Sequence, residues 1–537
     1  MISKHRRKKF NDSNLRRLRF ESLEPRRVLD GIVTVAVNGA GQLVLIGDTA
    51  NNQVQVNYGS TPGTFFVASV GGTLLTDGGT PSTATLTETG ATGGIVVRLG
   101  AGATKSFEFG DNPPAAPPSP LWEVPTINIL NAAGTETNTI NNVLLDTLTT
   151  NMAPTGATQV LSVLSTHVLG LTTVNNTGGV GGNTMTTIDG TASKTALDGG
   201  LLVTNPNANN IFMTTGSVSI GAALFPTPLP PPVPAPALPP VLEILNGTAG
   251  ATTRGSSTVF TGNATIYGSV IVTGQAHPLT IPPTQDIVKF IGSTVYGGVT
   301  VTDLGGTTSV SVTSSTIGAQ LTNTAAAGGA LVINNNTAPG AAAGFAAVTI
   351  SGASNIPWGV FVNDGAATGA SAGSLTTITG GTIGTRLGTN PVPGFATLGD
   401  ALTVLGENAG LNNFTMTGTT LGGVVNFVGA GLTPTPGVNF VTISNSTMAG
   451  LIFGTALGSA GGNNVTLTSD TIQQTFSIIF GNGSNNLTLA GTMVLPNELT
   501  GISSIIGIGG VDFLSNQAGV PLMIQGDFVT SSIAIGP

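Results

Sequence analysis

Along most of the chain, apolar residues alternate with Thr, Ser or Asn, as in Asn412-Asn413-Phe414-Thr415-Met416-Thr417 and Asn463-Asn464-Val465-Thr466-Leu467-Thr468. Alternation at period two puts successive side chains on opposite faces of a strand, so each run predicts a strand with one buried and one exposed face. Helices are disfavoured throughout, because each of the 78 glycines would cost about 1 kcal/mol relative to alanine inside a helix. The pattern predicts an all-β fold.

The runs belong to a recurring unit. Asn-Asn opens the alternation at Asn141-Asn142, Asn209-Asn210, Asn412-Asn413, Asn463-Asn464 and Asn485-Asn486. Asn tolerates the left-handed conformation and bonds its own main chain, so the doublet reads as a turn that feeds a strand. A polar step, a Thr-apolar pair and usually Gly follow, as in Ser315-Thr316-Ile317-Gly318 and Thr419-Thr420-Leu421-Gly422. Each unit is therefore strand, corner, strand.

Taking the last inward residue of each first strand as a marker gives Phe290, Val312, Ile350, Ile378, Met416, Ile443, Leu467 and Leu489, spaced by 22, 38, 28, 38, 27, 24 and 22 residues. Periods of roughly 20 to 50 residues indicate a solenoid or array. The expected architecture is a β-solenoid of the right-handed parallel β-helix type, with irregular coils and Pro/Gly-rich loops. In such a stack each inward side chain meets its counterpart one rung away, and Asn at equivalent corners can form hydrogen-bonded ladders.

Residues 1–31 are expected to be a disordered basic segment. Residues 32–112 differ from the repeats and read as an N-terminal β cap or β-roll, with Leu43 to Val56 as a hairpin or short roll, since an exposed terminal rung would be an open strand edge. Solenoid coils are expected over 113–240, interrupted by Pro-rich loops at 113–125 and 226–240, and repeats with a C-terminal cap over 241–537. Similar segments after the two Pro-rich stretches, Glu123 to Asn131 and Glu243 to Gly247, hint at an internal duplication.

Composition narrows the function. Charged residues are only 7% of the 537, and the stretches Leu304 to Asn363 and Asn408 to Ser469 carry none. Beyond residue 31 there remain six basic residues (Arg98, Lys105, Lys194, Arg254, Lys289 and Arg386) against twenty acidic ones. Such a surface repels phosphate backbones, so no nucleic acid is expected as a partner. Gly, Thr, Asn or Pro interrupts every apolar run well short of the ~20 residues of a spanning helix, so no transmembrane segment is expected. Cysteine is absent, which excludes disulfides and thiolate sites.

The first thirty-one residues are chemically distinct, holding ten of the sixteen Lys and Arg residues. They run into Phe20-Glu21-Ser22-Leu23-Glu24-Pro25-Arg26-Arg27-Val28-Leu29. This ending resembles the LEPR-xLL sorting segment at the N-terminus of exported planctomycete surface proteins, with Phe20, Glu21, Leu23, Glu24, Pro25, Arg26 and Leu29 at the matching positions. Val28 departs from the usual Leu, and Asp30-Gly31 from the usual small-residue exit. The resemblance implies a secreted or cell-surface location; no apolar stretch of a conventional signal peptide follows the basic region.

Candidate chemistry is sparse. His167 and His277 stand alone, and no nucleophile elbow, phosphate loop or zinc-protease motif occurs. Asp286 and Lys289 form the closest acid–base pair and read as a corner ion pair. Gly47 to Asn52 and Gly481 to Leu487 approach a Gly-rich Ca²⁺-binding repeat, but with Asn in place of the acids that Ca²⁺ needs. Trp122 and Trp358 read as packing or turn residues. No catalytic residue, cofactor or metal site is expected. Thr415-Met416-Thr417 and Thr466-Leu467-Thr468 would set hydroxyls in a flat array if they faced solvent, and such arrays can bind ice or carbohydrate. The sequence points to a non-catalytic structural or adhesin-like solenoid whose partners are an extracellular matrix, a glycan or a neighbouring surface protein. The alternatives are a glycan- or ice-binding Thr-rich solenoid, favoured by a regular outward Thr ladder, and a β-helix polysaccharide lyase or hydrolase, favoured by converging acids.

Overall fold

The computed structural model describes residues 31–526, except residue 60 and the segments 111–122, 154–156, 177–181, 206–208, 223–239, 247–256, 275–284, 303–306, 320–329, 335–345, 364–372, 386–399, 407–410, 430–437, 455–461, 481–482, 495–502, 508–511 and 517–522. The sorting segment, His277, Trp122 and most of both Pro-rich stretches lie outside the described residues.

The chain winds as a β-solenoid, and each turn contributes strands to three parallel ladders. The first ladder pairs every Asn-type strand with the next: Thr307–Thr313 with Ala346–Ser351, then Ser374–Thr379, Leu411–Thr417, Val438–Ser444, Asn463–Thr468 and Asn485–Ala490. A second ladder of very short strands follows the corner, running through Thr294–Val295, Thr316–Ile317, Asn355–Ile356, Thr382–Ile383 and Thr420–Leu421. The third runs through Val299–Thr302, Leu331–Asn334, Val360–Asn363, Asp400–Leu405 and Val424–Val428.

All eight sequence markers lie in one register column, from Phe290 opposite Val312 to Leu467 opposite Leu489. The column continues upstream through Thr261, Thr214, Ile188, Val163, Ile140 and Phe109. With neighbouring strands about 4.8 Å apart, the first ladder from Asn52 to Asn516 spans about 70 Å. Pairing carries on across both Pro-rich stretches: Ile95–Arg98 pairs with Glu123–Leu130, and Leu201–Asn205 with Pro240–Asn246. The two similar segments that follow those stretches therefore lie on the same ladder.

Two devices shape the corners. Where the first ladder turns into the second, the backbone adopts the left-handed conformation, at Asn142 (φ 53°), Asn263 (φ 52°), Ser314 (φ 48°), Gly418 (φ 61°), Asn445 (φ 51°) and Ser469 (φ 55°). Asn, Ser and Gly occupy these positions because a β-branched side chain there would be strained by about 1–3 kcal/mol. Each corner N–H then donates to the next rung, for example Gly418 to the Ser444 carbonyl (3.0 Å) and Asn445 to the Thr468 carbonyl (2.9 Å).

Where the third ladder turns into the first, a column of buried polar residues replaces the hydrocarbon core. In register order it reads Asn52, Lys105, Glu136, Gln159, Thr184, Asn210, Ser257, Asp286, Thr308, Ala346, Ser374, Asn412, Asn439, Asn463 and Asn485, with only Ala346 apolar. None is more than 4% exposed. The Asn doublets thus lie within the strands rather than in the turns before them. In the three C-terminal doublets the first Asn points inward. At Asn209-Asn210 it is the second, and Asn142 belongs instead to the left-handed corner. Asn412 Nδ2 donates to Asn439 Oδ1 (2.9 Å), Asn439 Nδ2 to Asn463 Oδ1 (2.7 Å), and Asn463 Nδ2 to Asn485 Oδ1. Gly429 makes room for this ladder, since a Cβ there would sit 2.6 Å from Asn439 Nδ2.

The N-terminal end is closed by antiparallel pairing. β1 (Ile32–Val37), β2 (Leu43–Gly47), β3 (Asn52–Tyr58) and β4 (Phe65–Ser69) form the first rung and its cover. β2 and β3 are not a hairpin with one another; they turn a corner as the first rung and pair in parallel with Ile95–Arg98 and Thr104–Phe109. β1 lies antiparallel on the free edge of β2, and β4 on that of β3. At the other end, Ser503–Gly507, Asp512–Asn516 and Met523–Gly526 extend the first and third ladders in register.

Candidate functional site

The outward face offers one regular chemical feature. In the first ladder, Ser311, Thr349, Thr377, Thr415, Thr442, Thr466 and Thr488 are register partners on seven successive rungs, all on the side away from the core. Two residues further along the same strands, Thr313, Ser351, Thr379, Thr417, Ser444 and Thr468 form a second column. Past the corner, Thr294, Thr316, Asn355, Thr382, Thr420, Thr447 and Thr471 form a third. Hydroxyls bond between rungs, as between Thr313 and Ser351 (3.1 Å) and between Thr417 and Ser444 (3.0 Å), and Thr382 donates to Asn355 Oδ1 (2.9 Å). The pairs Thr415/Thr417 and Thr466/Thr468 both sit in this array. The third column was not recognised from sequence because its strands are only two residues long, although the repeated Thr-apolar step was its signal.

The remaining candidates take structural roles. Asp286 and Lys289 do not form the expected ion pair, because residues three apart on a strand point to opposite faces: Asp286 is buried and accepts from the Ser257 N–H (2.8 Å), while Lys289 is exposed. His167 is half-exposed and bonds Asp198. In Gly47 to Asn52, the Asp48 carboxylate accepts from the N–H groups of Ile32 (3.1 Å) and Ala50 (3.0 Å), which fixes the first corner. Residues 481–482 of the second Gly-rich segment lie outside the described residues, and its Asn485 accepts from Asn463 in the Asn ladder and donates to the Gly483 carbonyl (2.9 Å). Trp358 packs against the core. Among the described residues no group of three or more His, Asp and Glu side chains is placed to hold a metal ion, and no helix is long and apolar enough to cross a membrane.

One ion pair was invisible in the sequence. Lys105 Nζ lies 3.0 Å from Glu136 Oε2 and donates to the carbonyls of Gly100 (3.0 Å), Ala132 (3.0 Å) and Ala133 (3.1 Å). Both side chains are buried, and burial raises the Glu136 pKa against the opposing pull of Lys105.

A second buried acid sits at the left-handed corner. Serine hydroxyls line that corner and accept main-chain N–H groups from the preceding rung, as Ser315 does from Ser293 (3.0 Å) and Ser446 from Thr419 (3.2 Å). Asp470 takes the next place, accepting from the N–H groups of Ser446 (2.8 Å) and Thr468 (2.9 Å). Burial pushes its pKa up to about 6, in opposition to these two bonds. The native state therefore holds this proton to a higher pH than the unfolded chain does. The resulting stabilisation is complete below about pH 4 and lost as pH rises through about 6. Unfolding midpoints of wild type should accordingly fall more between pH 4 and 6.5 than those of Asp470→Ser; equal profiles would remove Asp470 as the cause.

No family model matches this chain, and no match was found among curated proteins or solved structures.

Proposed function

We propose that this protein is an exported, surface-presented β-solenoid rod with a structural or adhesive role, displaying a neutral hydroxyl face to a matrix, glycan or neighbouring surface protein. The observation that carries the reading is the outward Thr and Ser array, which repeats over seven rungs on a face free of ionisable side chains at its described positions. Several buried acids that a β-helix hydrolase or lyase could have used are committed elsewhere: Glu136 to Lys105, Asp286 and Asp470 to main-chain N–H groups. The parallel ladders offer length and stiffness, since each rung is bonded along its strands to the rungs before and after it. Location rests on the resemblance of Phe20 to Leu29 to an export segment.

Native-cell fractionation, protease treatment of intact cells and N-terminal sequencing test the reading. Protein accessible from outside and beginning near Asp30 or later is the expected result. A cytosolic chain that retains residues 1–31 would overturn it.

A further inference from the structure

We infer that the threonine array between Ser311 and Thr488 is an ice-binding face. The inference deepens the adhesive reading and rests on it only for the outward display of this surface.

The fold alone does not require threonine at these positions. Immediately upstream in the same register column the outward residues are Met213, Phe260 and Lys289, and further up the hydroxyls return at Thr187, Ser162 and Thr139. On the third ladder, across the same rungs, they are Val332, Phe361, Thr403, Asn426, Ile452 and Ser477. Strand propensity therefore tolerates a mixture on this scaffold. From Ser311 onward the first column admits only Thr and Ser, and the two charge-free stretches of the sequence cover most of this region, with Asp364, Arg386, Asp400, Glu407 and Asp470 as its charged residues.

The geometry limits what such a face can recognise. Rungs are about 4.8 Å apart, and Thr415 and Thr417 are separated by about 6.7 Å along the strand. The array is thus a two-dimensional grid close to the oxygen repeats of an ice prism face. Each threonine contributes one hydroxyl and one methyl from a side chain whose χ1 is stiff, and hydrogen bonds between rungs further fix several of the hydroxyls. A single sugar or peptide is normally held in a concave site by a few convergent groups. A repeating grid instead matches a ligand that is itself a repeating lattice. No aromatic ring stands in these columns to stack on sugars; the exposed Phe440 lies one outward position away. Absence of charge also matters, because ionised groups order water around themselves rather than on a grid.

The test uses the intact chain, wild type and Thr415→Tyr/Thr442→Tyr, with Asn426→Tyr on the third ladder as a control; tyrosine favours strands, and unfolding midpoints check that all three fold. Wild type and N426Y are expected to enter slowly growing ice and to suppress recrystallisation, and the double variant to lose both effects. Exclusion of wild type from ice would overturn the inference, as would equal partitioning of the double variant. Binding to microcrystalline cellulose or chitin that depends on the same threonines, without ice partitioning, would overturn it in favour of a crystalline polysaccharide. The two readings fail separately: a cytosolic protein that enters ice removes only the export reading, and an exported protein excluded from ice removes only this one.

Discussion

Lys105→Met is expected to destabilise the N-terminal rungs by about 3–5 kcal/mol, the usual cost of removing one partner from a buried ion pair. Methionine fills similar volume, so little of the loss comes from a cavity. What remains is the Glu136 carboxyl without its counter-charge and the carbonyls of Gly100 and Ala133 without this donor, while that of Ala132 keeps Gln159 Nε2 (2.9 Å). Without the opposing pull of Lys105, burial would hold the Glu136 pKa higher still, so the deficit should shrink on acidification. Adding Glu136→Leu should recover a large part of the loss, because a buried pair replaced by well-packed apolar groups is often neutral or better. Thermal unfolding of the two single variants and the double variant measures the coupling. A Lys105→Met protein as stable as wild type would show that this pair is not a clamp on the first rungs.

Asn439→Leu is expected to cost about 2–5 kcal/mol locally, since each buried group left without a partner costs about 1–3 kcal/mol. The substitution is nearly isosteric but removes two bonds of the buried column, the one Asn412 Nδ2 donates and the one Asn463 Oδ1 accepts. Hydrogen exchange should localise the effect to the strands at 411–417, 438–444 and 463–468, because rungs of a solenoid contact only their neighbours. Asn439→Asp separates packing from bonding. It keeps the volume and the acceptor for Asn412, yet above its pKa it faces Asn463 Oδ1 with a second acceptor. Destabilisation that eases at low pH is the expected outcome for that variant. Unchanged protection in both variants would mean that the ladder contributes little.

Much of this architecture was legible because its repeat is local. Alternation marked the strands, and the inward column from Phe290 to Leu489 could be aligned from spacing alone, since a one-residue slip would reverse every face. The Asn doublets were legible as signals, but the turn reading holds only at Asn142, and the other four lie in strands: Asn favours turns, and only rung-to-rung stacking reveals a buried amide column. Lys105 and Glu136 escaped notice because the intervening 30 residues include a Pro-rich connection that hides the period. Asp286 and Lys289 looked paired because proximity in sequence was weighed above the strand's two-sidedness. The Thr-x-Thr steps pointed to a hydroxyl array, but its extent over seven rungs required the register of the first ladder, which the unequal spacings hide.

The unequal lengths of the turns carry a mechanical consequence. Register is kept whether successive rungs are 22 residues apart, as at Asn463 and Asn485, or 38, as at Ser374 and Asn412. The variation is therefore absorbed between strands. Pulled from its ends, such a molecule would shed one rung at a time rather than rupture as a block. Each step would release a length set by that rung alone, roughly 75 Å for a 22-residue turn, roughly 130 Å for a 38-residue one and roughly 160 Å for the 47 residues from Asn210 to Ser257, at about 3.4 Å per residue. The long turns are stores of hidden length: a tether built this way would lengthen in uneven increments under load while the rungs still stacked kept their grip.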